Sequence, residues 1–189
     1  MIVSLFDKNI AKILLLFSIS PGSKYYRNEI KEKTGMNNVP LDNSLAELLA
    51  LEILRLEGRM YSLNIENRLV MQIIEDAKKK LGGLPLKVQI EIVDFISDVS
   101  KIGVVNKVIL FGSYAKLVYS DKSDMDIALV LEDIKNMVQF EKKIERVALK
   151  VSDKYGKEIQ VHFFSEGDLK HKEDPLIRDI LKNGRGLVG

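Results

Sequence analysis

The spacing of apolar residues along the first third of the chain predicts three helices followed by a two-stranded hairpin. Asp, Pro and Gly residues supply the start and stop signals of the helices, and apolar and polar residues alternate where the hairpin is expected. The predicted elements are a helix capped by Asp7 and ended by Pro21 and Gly22, a helix from Tyr26 to Lys33 ended by Gly35, a helix from about Asp42 to Ile53, and a hairpin from Arg55 to Leu63 that turns at Glu57 and Gly58.

The rest of the chain is predicted to alternate helices with short strands. The glycine-rich run from Gly82 to Pro85 is the clearest break, so we expect one domain at residues 1–81 and a second at residues 84–189. The predicted elements are helices from Glu66 to Leu81 and from Leu86 to Ile102, a strand from Lys107 to Phe111, a short helix from Ser113 to Leu117, a strand from Ser123 to Val130, a long helix from Leu131 to Tyr155, a strand from Lys157 to Phe164 and a closing helix. This order predicts a two-domain protein of the α+β or α/β class, with a small mixed sheet flanked by helices in its second domain.

Apolar stripes on the predicted helices are expected to form cores. The run from Ile13 to Phe17 is very apolar but too short to span a bilayer, and no cleavage site follows it, so we expect a buried helix and a soluble, cytoplasmic protein without a membrane partner. The other stripes are Leu69, Val70, Ile73, Ile74 and Ala77, then Val93, Ile96 and Val99, then Ile134, Met137, Val138, Ile144, Val147 and Val151.

Composition narrows the classes of function. Of the 189 residues, 46% are hydrophobic, which is ample for packed cores. The net charge of +2 implies no polyanionic partner. Cysteine is absent, which excludes disulfides and cysteine-bound metal clusters and fits a reducing compartment.

The candidate chemistry is concentrated between Phe111 and Val130. A strand rich in aliphatic residues ends there at Gly112 and Ser113, and a short helix is predicted to follow. The first N–H groups of a helix have no partner within it, so a glycine that permits close approach and a serine hydroxyl can together hold an anion. We expect this anion to be a phosphate.

Asp124 and Asp126 lie two residues apart in the next predicted strand. Side chains at this spacing project from one face of a strand, with about 6.5–7 Å between their backbones. Carboxylates suit Mg²⁺, which completes its shell with water and substrate phosphates, and two such ions can activate a hydroxyl and stabilise a pyrophosphate leaving group. Each motif is common alone, but the two separated by a spacer of nine residues indicate a site that transfers a nucleotide.

This stretch resembles the nucleotidyltransferase superfamily of DNA polymerase beta, in particular its minimal prokaryotic members. The family motif is Gly-Ser-x-Ala-Arg-Gly, a spacer, and Ser-Asp-Ile-Asp-Leu-x-Val. The matching residues are Gly112, Ser113, Ala115, Ser123, Asp124, Asp126 and Val130, while Lys116 and Leu117 replace the Arg-Gly pair. The resemblance implies catalytic, Mg²⁺-binding roles for Asp124 and Asp126, and it implies that a nucleoside triphosphate binds at Gly112, Ser113, Lys116, Ser123 and Gln160.

The family pattern has a third carboxylate on a later strand, where this chain has Gln160. Alternation places Ile159, Val161 and Phe163 towards the core, and Glu158, Gln160 and His162 on the face of the expected site. An amide cannot take a proton, so Gln160 offers no general base. Glu158 is the alternative catalytic carboxylate, and His162 is either a metal ligand, a proton acceptor or a hydrogen-bonded neighbour.

The first domain resembles a winged helix-turn-helix of the kind found in prokaryotic regulators. A recognition helix offers Arg, Lys, Asn or Gln to base edges, and cations around it hold phosphates. The candidate DNA-binding residues are Arg27, Lys31, Asn37, Asn38, Asn43 and Arg59. Acidic residues nearly cancel the nearby cations, so dimerisation or domain packing is an equally good use of such a domain.

Two classes of function remain open. The first is an enzyme that transfers a nucleoside monophosphate from a nucleoside triphosphate to an acceptor hydroxyl with Mg²⁺ as cofactor. The second is a weak or inactive relative that binds nucleotide, duplex DNA or a partner protein. Minimal family members are often antitoxins paired with a small helical toxin, so a toxin-like partner and a homodimer both stay open.

Overall fold

The computed structural model describes residues 7–132 and 137–189. The described chain forms two compact units, one that ends at Val93 and one from Asp94 to Gly189. The domain boundary expected between residues 81 and 84 remains a prediction.

The first unit combines helices with a three-stranded antiparallel sheet. Its elements are α1 (Lys8–Ile19), β1 (Lys24–Tyr26), α2 (Arg27–Thr34), α3 (Asn38–Ala50), β2 (Leu54–Glu57), β3 (Met60–Leu63), α4 (Arg68–Leu81) and the first part of α5 (Leu86–Ser100). β3 lies between β1 and β2 and pairs with both. The predicted order of three helices and a hairpin is present, and β1 is a short strand that the sequence did not indicate.

α1 is the centre of the first unit. Every residue from Ile10 to Ser18 is buried, because α2, α3 and α4 all pack against this helix. The Asp7 carboxylate accepts hydrogen bonds from the backbone N–H groups of Asn9 and Ile10, which makes it the predicted N-cap. In the described part of the chain, no helix combines the length and the apolar character needed to cross a bilayer.

Two boundaries in this unit differ from the sequence prediction. α3 begins at Asn38 rather than near Asp42, and it ends at Ala50. Pro40 lies in the first turn of α3, where a missing N–H removes no intrahelical hydrogen bond, so this proline belongs to the helix rather than preceding it. The hairpin turn is at Gly58 and Arg59, one residue later than predicted, and Gly58 supplies the positive φ of 64°.

The second unit is built on a four-stranded sheet in the order β6-β5-β4-β7. Its elements after α5 are β4 (Val105–Leu110), α6 (Gly112–Lys116), β5 (Met125–Leu131), α7 (Met137–Tyr155), β6 (Ile159–Ser165), a 3-10 helix (Asp168–Lys170), α8 (Pro175–Asn183) and β7 (Arg185–Val188). β5 runs parallel to β6 and antiparallel to β4, and β7 runs antiparallel to β4. The predicted mixed sheet is therefore present, and β7 is a strand that the prediction missed.

Most side chains of the predicted apolar stripes are buried. Leu69 is an exception at 39% exposed, because the buried stripe of α4 runs through Val70, Ile74, Ala77 and Leu81 and leaves Leu69 at its rim. Val138 in α7 is also exposed, whereas Ile144 and Val151 are buried as expected. The expected core side chains of Ile134 and Met137 lie outside the part that the structure describes.

β5 is an interior strand of the sheet and β6 is an edge strand. The side chains from Ile127 to Val130 are inaccessible to solvent. Val161 and Phe163, which alternation assigns to the core, are only half-buried, because no strand of the described residues pairs with the outer side of β6. The N–H groups of Ile159 and Ser165, near the two ends of β6, donate to the side chains of Ser152 and Asp168. These contacts protect an edge that would otherwise be free to pair.

Leu117 ends α6 in the left-handed region of backbone space, with φ of 59°. This is the position at which the family motif has glycine. A left-handed backbone costs a residue with a Cβ about 1–2 kcal/mol, whereas glycine adopts it freely. The Val118 N–H closes the turn with a 3.0 Å hydrogen bond to the Ser113 carbonyl oxygen. Leu117 therefore holds a strained conformation that its neighbours maintain.

We expect Leu117→Gly to be more stable than Leu117→Ala. At an ordinary helical position glycine is less stable than alanine by about 1 kcal/mol, but relief of the left-handed strain should reverse that order here, by about 1 kcal/mol. Urea unfolding measures the difference in free energy of unfolding. The same pair of changes at Leu149, an exposed residue inside α7, is the control and should keep the usual order. An alanine variant at least as stable as the glycine variant would show that Leu117 is unstrained.

Candidate active site

The turn after β4 brings the Gly112 backbone against a carboxylate. Gly112 has φ of 67°, which disfavours residues with a side chain. A Cβ at this position would lie 2.2 Å from Asp126 Oδ2, so glycine alone fits without a shift of the carboxylate. The Phe111 N–H donates a 3.0 Å hydrogen bond to the Asp126 carbonyl oxygen and fixes this approach. The Gly-Ser turn and the aspartate pair therefore meet in one place.

Asp124 and Asp126 have different surroundings. Asp124 is exposed and precedes β5, so the strand begins two residues later than the predicted start at Ser123. The Asp126 side chain is 24% exposed. Burial raises the pKa of the Asp126 carboxyl, nearby His162 opposes this increase, and the charge of Asp124 adds to it. The two carboxylates are thus close enough to affect each other.

Gln160 stands beside Asp126 in the sheet. The parallel register pairs Asp126 with Gln160, and paired residues of adjacent strands direct their side chains to the same face. Gln160 is exposed, and its amide can hydrogen-bond but cannot accept a proton as a base. The position where the family pattern implies a third carboxylate is therefore next to Asp126 and carries an amide.

Glu158 lies just before β6 and is exposed. Its carbonyl oxygen accepts a 2.9 Å hydrogen bond from the Met125 N–H. This bond joins the residue after Asp124 to the segment that carries Glu158. The Glu158 backbone is consequently fixed near the start of β5, while its carboxylate extends towards solvent.

His162 lies nearer to Asp126 than its sequence position alone could establish. Its Nε2 atom is 3.9 Å from Asp126 Oδ1, which is beyond hydrogen-bonding distance. This nitrogen is buried and has no hydrogen-bond partner among the residues that the structure describes. The ring packs edge-on against Phe111, with 5.1 Å between the ring centroids. The alternation along β6 was the only signal that placed His162 on this face.

The donor set would suit a hard cation that takes only part of its coordination shell from the protein. Within residues 7–132 and 137–189, no group of three His, Cys, Asp or Glu side chains is arranged to hold a metal ion. Mg²⁺ commonly takes one or two protein carboxylates and completes its shell with water and substrate phosphates. Asp124 and Asp126, one of them partly desolvated, match that requirement. They suit Mg²⁺ bound together with a triphosphate and not a closed protein cage.

Lys116 and α6 are anchored by the end of the chain. Lys116 Nζ forms a 2.7 Å ion pair with Asp179 of α8. Arg185 Nε donates a 2.8 Å hydrogen bond to the Ala115 carbonyl oxygen across 70 residues of sequence. Sequence reasoning missed Arg185, since no local pattern signals a contact of that range. These two contacts fix α6, the helix that begins at Gly112.

The two serines of the motif differ in their contacts. Ser113 is half-buried directly after Gly112. Ser123 Oγ accepts a 2.9 Å hydrogen bond from the Ser120 N–H and lies 3.2 Å from Ser120 Oγ. Ser123, predicted to bind nucleotide, therefore shapes the loop before Asp124.

The residues predicted to contact DNA lie in the first unit, and one of their cations is already paired. Arg27 donates to both carboxylate oxygens of Asp42, at 2.6 and 2.9 Å, and also to Asn38. Two further cations of the three-stranded sheet are also paired: Lys24 of β1 with Glu57, and Arg55 of β2 with Glu66. The other candidates are Lys31, which is half-buried, and Asn37, Asn43 and Arg59, which are exposed.

Asp126→Asn is expected to raise the melting temperature of the metal-free protein at neutral pH. Burial raises the pKa of Asp126, so its charged form is less favourable in the folded chain than in the unfolded chain and costs stability. The cost disappears as falling pH protonates Asp126, so the gap between variant and wild type should narrow in acid. Thermal unfolding across pH measures this gap, with exposed Asp153→Asn as the control. A variant less stable than wild type at neutral pH would contradict the argument.

Comparison with known proteins places this site in a family. The family model described as Polymerase beta, Nucleotidyltransferase matches residues 86–189. No curated protein matches the chain. One solved structure, described as "Crystal structure of the toxin-antitoxin with AMP-PNP", is 24% identical in sequence, with a TM-score of 0.36. The match covers 52% of this chain and 71% of the chain in that structure. The family match spans more than half of the chain and includes the Gly-Ser turn and both aspartates. The chain therefore belongs to the polymerase beta nucleotidyltransferase family.

Proposed function

We propose that this protein transfers a nucleoside monophosphate from a nucleoside triphosphate to an acceptor hydroxyl, with Mg²⁺ as cofactor. The observation that carries the proposal is the close approach of the Gly112 backbone to the Asp126 carboxylate. A triphosphate bound at Gly112 and Ser113 would lie next to both aspartates, where a phosphate-bound Mg²⁺ finds its protein ligands. Family membership supports the same reaction class.

Each residue has a defined task in this proposal. Asp124 and Asp126 would hold Mg²⁺, which when bound supplies charge stabilisation for the leaving pyrophosphate. The Gly112 backbone and the Ser113 hydroxyl orient the triphosphate, and orientation of the reacting groups lowers the entropic part of the barrier. The partial burial of Asp126 reduces solvent screening of its charge, so it attracts a cation more strongly than an exposed carboxylate does.

Gln160 limits the chemistry that we propose. Its amide can hydrogen-bond an acceptor hydroxyl and help to place it, but another group must take the proton. Glu158 is the competing candidate for that base, because it lies in the segment whose carbonyl bonds to Met125. We therefore expect triphosphate binding to be better preserved than transfer.

For the first unit we propose a winged helix-turn-helix description, supported by α1 to α3 followed by the antiparallel β2–β3 hairpin. The pairing of Arg27 with Asp42 removes a cation that duplex phosphates would need. This favours dimerisation or binding of a protein partner, such as a small helical toxin-like chain, over DNA binding. Duplex binding by the full chain that weakens steeply as salt rises would overturn this preference.

Mg²⁺-dependent binding of ATP or another nucleoside triphosphate should be measurable by calorimetry. The Asp124→Ala, Asp126→Ala double variant should lose this binding and remain folded by circular dichroism, because it lacks the metal ligands and not a core side chain. Asp153→Ala removes an exposed carboxylate from α7 and is the matched control, which should bind like wild type. Equal binding by wild type and the double variant would contradict the assignment of Asp124 and Asp126 to the site.

Gln160→Asp should raise the rate of transfer to an added acceptor, or of self-modification, without much tighter triphosphate binding. A positioned general base is worth about 10²–10⁴-fold in rate, and aspartate would supply it directly beside Asp126. Transfer of labelled nucleotide measures the effect. Gln160→Asn, which shortens the side chain in the same way without adding a base, is the control.

Glu158 offers a competing account that the same assay separates. If Glu158 already acts as the base, Glu158→Gln should abolish transfer and Gln160→Asp should add little. Rapid transfer by wild type that is unchanged in Glu158→Gln would contradict both accounts: the one in which no base is present and the one in which Glu158 is the base.

A further inference from the structure

Lys157 contacts the loop that leads to Asp124. It lies between α7 and β6, and its Nζ atom donates hydrogen bonds to the carbonyl oxygens of Asp121, at 2.6 Å, and Ser123, at 3.1 Å. Hydrogen bonds from a charged donor are stronger than those between neutral groups. One ammonium therefore joins two points of a loop that ends at a proposed metal ligand.

An aromatic stack supports the same loop. The rings of Tyr114 and Tyr119 stack with 4.2 Å between centroids and 5° between planes. Tyr114 is buried, at 2% exposed, and Lys157 Nζ lies 5.9 Å from the centroid of its ring. Tyr119 thus holds the beginning of the loop on α6, while Lys157 holds its end.

The loop needs these contacts because regular structure does not fix it. Residues 118–124 belong to neither a helix nor a strand. Asp124 lies at the end of this segment, before the ladder of β5 begins at Met125. Asp126, by contrast, lies within the ladder and is fixed by its pairing with Gln160. Of the two aspartates, only Asp124 depends on the loop for its position.

We propose that Lys157 is a positioning residue that sets the place of Asp124 through the Asp121 and Ser123 carbonyl groups. The consequence for metal binding rests on the proposed function, whereas the bracing of the loop does not. Lys157 acts through the backbone of the loop and leaves the phosphates to the Gly-Ser turn. Loss of its ammonium should loosen the loop and weaken the contribution of Asp124 to the metal site.

Hydrogen exchange of the full ligand-free chain tests the brace without nucleotide. Lys157→Met keeps most of the aliphatic stem and removes the donor, so amides of residues 118–124 should exchange faster than in wild type. Lys122→Met removes the same charge from an exposed position of the same loop and is the control, with exchange as in wild type. Lys157→Arg keeps a charged donor and should retain slow exchange. Equal loop exchange in Lys157→Met and wild type would overturn the proposal.

The Mg²⁺ dependence of triphosphate binding tests the link to Asp124. Loss of a group that orients a metal ligand typically weakens metal affinity about 10–100-fold, so the Mg²⁺ concentration for half-maximal binding should rise by about 10-fold in Lys157→Met and return towards wild type at saturating Mg²⁺. In an Asp124→Ala background, Lys157→Met should add no further loss. A loss of affinity that persists at saturating Mg²⁺, or adds fully to Asp124→Ala, would identify a direct phosphate contact instead.

The two experiments keep the two proposals apart. A wild type that binds no triphosphate at any Mg²⁺ concentration would defeat the proposed function, and loop exchange would still decide whether Lys157 braces the loop. Normal Mg²⁺ dependence in Lys157→Met together with faster loop exchange would defeat the role in positioning Asp124.

Discussion

The contact between the Gly112 backbone and the Asp126 carboxylate is the constraint on which the site depends. It requires antiparallel β4 and β5 to be neighbours, so that the chain leaving β4 turns directly over Asp126. It also requires a positive φ and no Cβ at Gly112. The ion pair of Lys116 and the hydrogen bond of Arg185 then hold α6 in place after the turn. Gly112 is the feature that keeps the proposed phosphate site next to the proposed metal ligands, because a side chain there would collide with the Asp126 carboxylate.

Local sequence predicted the parts of this site that have a periodic or short-range cause. The Gly-Ser turn and the aspartate pair are motifs, and alternation along β6 placed Gln160 on the face that the register pairs with Asp126. Contacts between distant segments could not be predicted, because nothing in a sequence window encodes them. Arg185 reaches Ala115 across 70 residues, and Lys157 reaches Asp121 across 36. The proximity of His162 to Asp126 likewise depends on the packing of a side chain against Phe111.

The helix boundaries were predictable where a capping residue lies at the end of an apolar stripe. They were less predictable where one residue type can occupy two positions relative to a helix. Asp7 begins α1 and Gly35 ends α2 as expected, because each supplies a specific hydrogen bond or backbone angle. Pro40 can precede a helix or occupy its first turn, and the sequence does not decide between these. The charge available for binding a partner could not be predicted either. The sequence shows how many cations the first unit has, but not that Arg27 forms an ion pair with Asp42.

The burial of Asp126 has a cost, and the amide at position 160 affects that cost. Burial raises the pKa of the Asp126 carboxyl, so its charged form is unfavourable in the folded chain. Functional sites commonly keep such unfavourable features. A cation would relieve the desolvated carboxylate, whereas a third carboxylate at position 160 would add like-charge repulsion to it in the metal-free chain. The neutral Gln160 therefore favours the stability of the metal-free chain but supplies no base, which agrees with our proposal that triphosphate binding is better preserved than transfer.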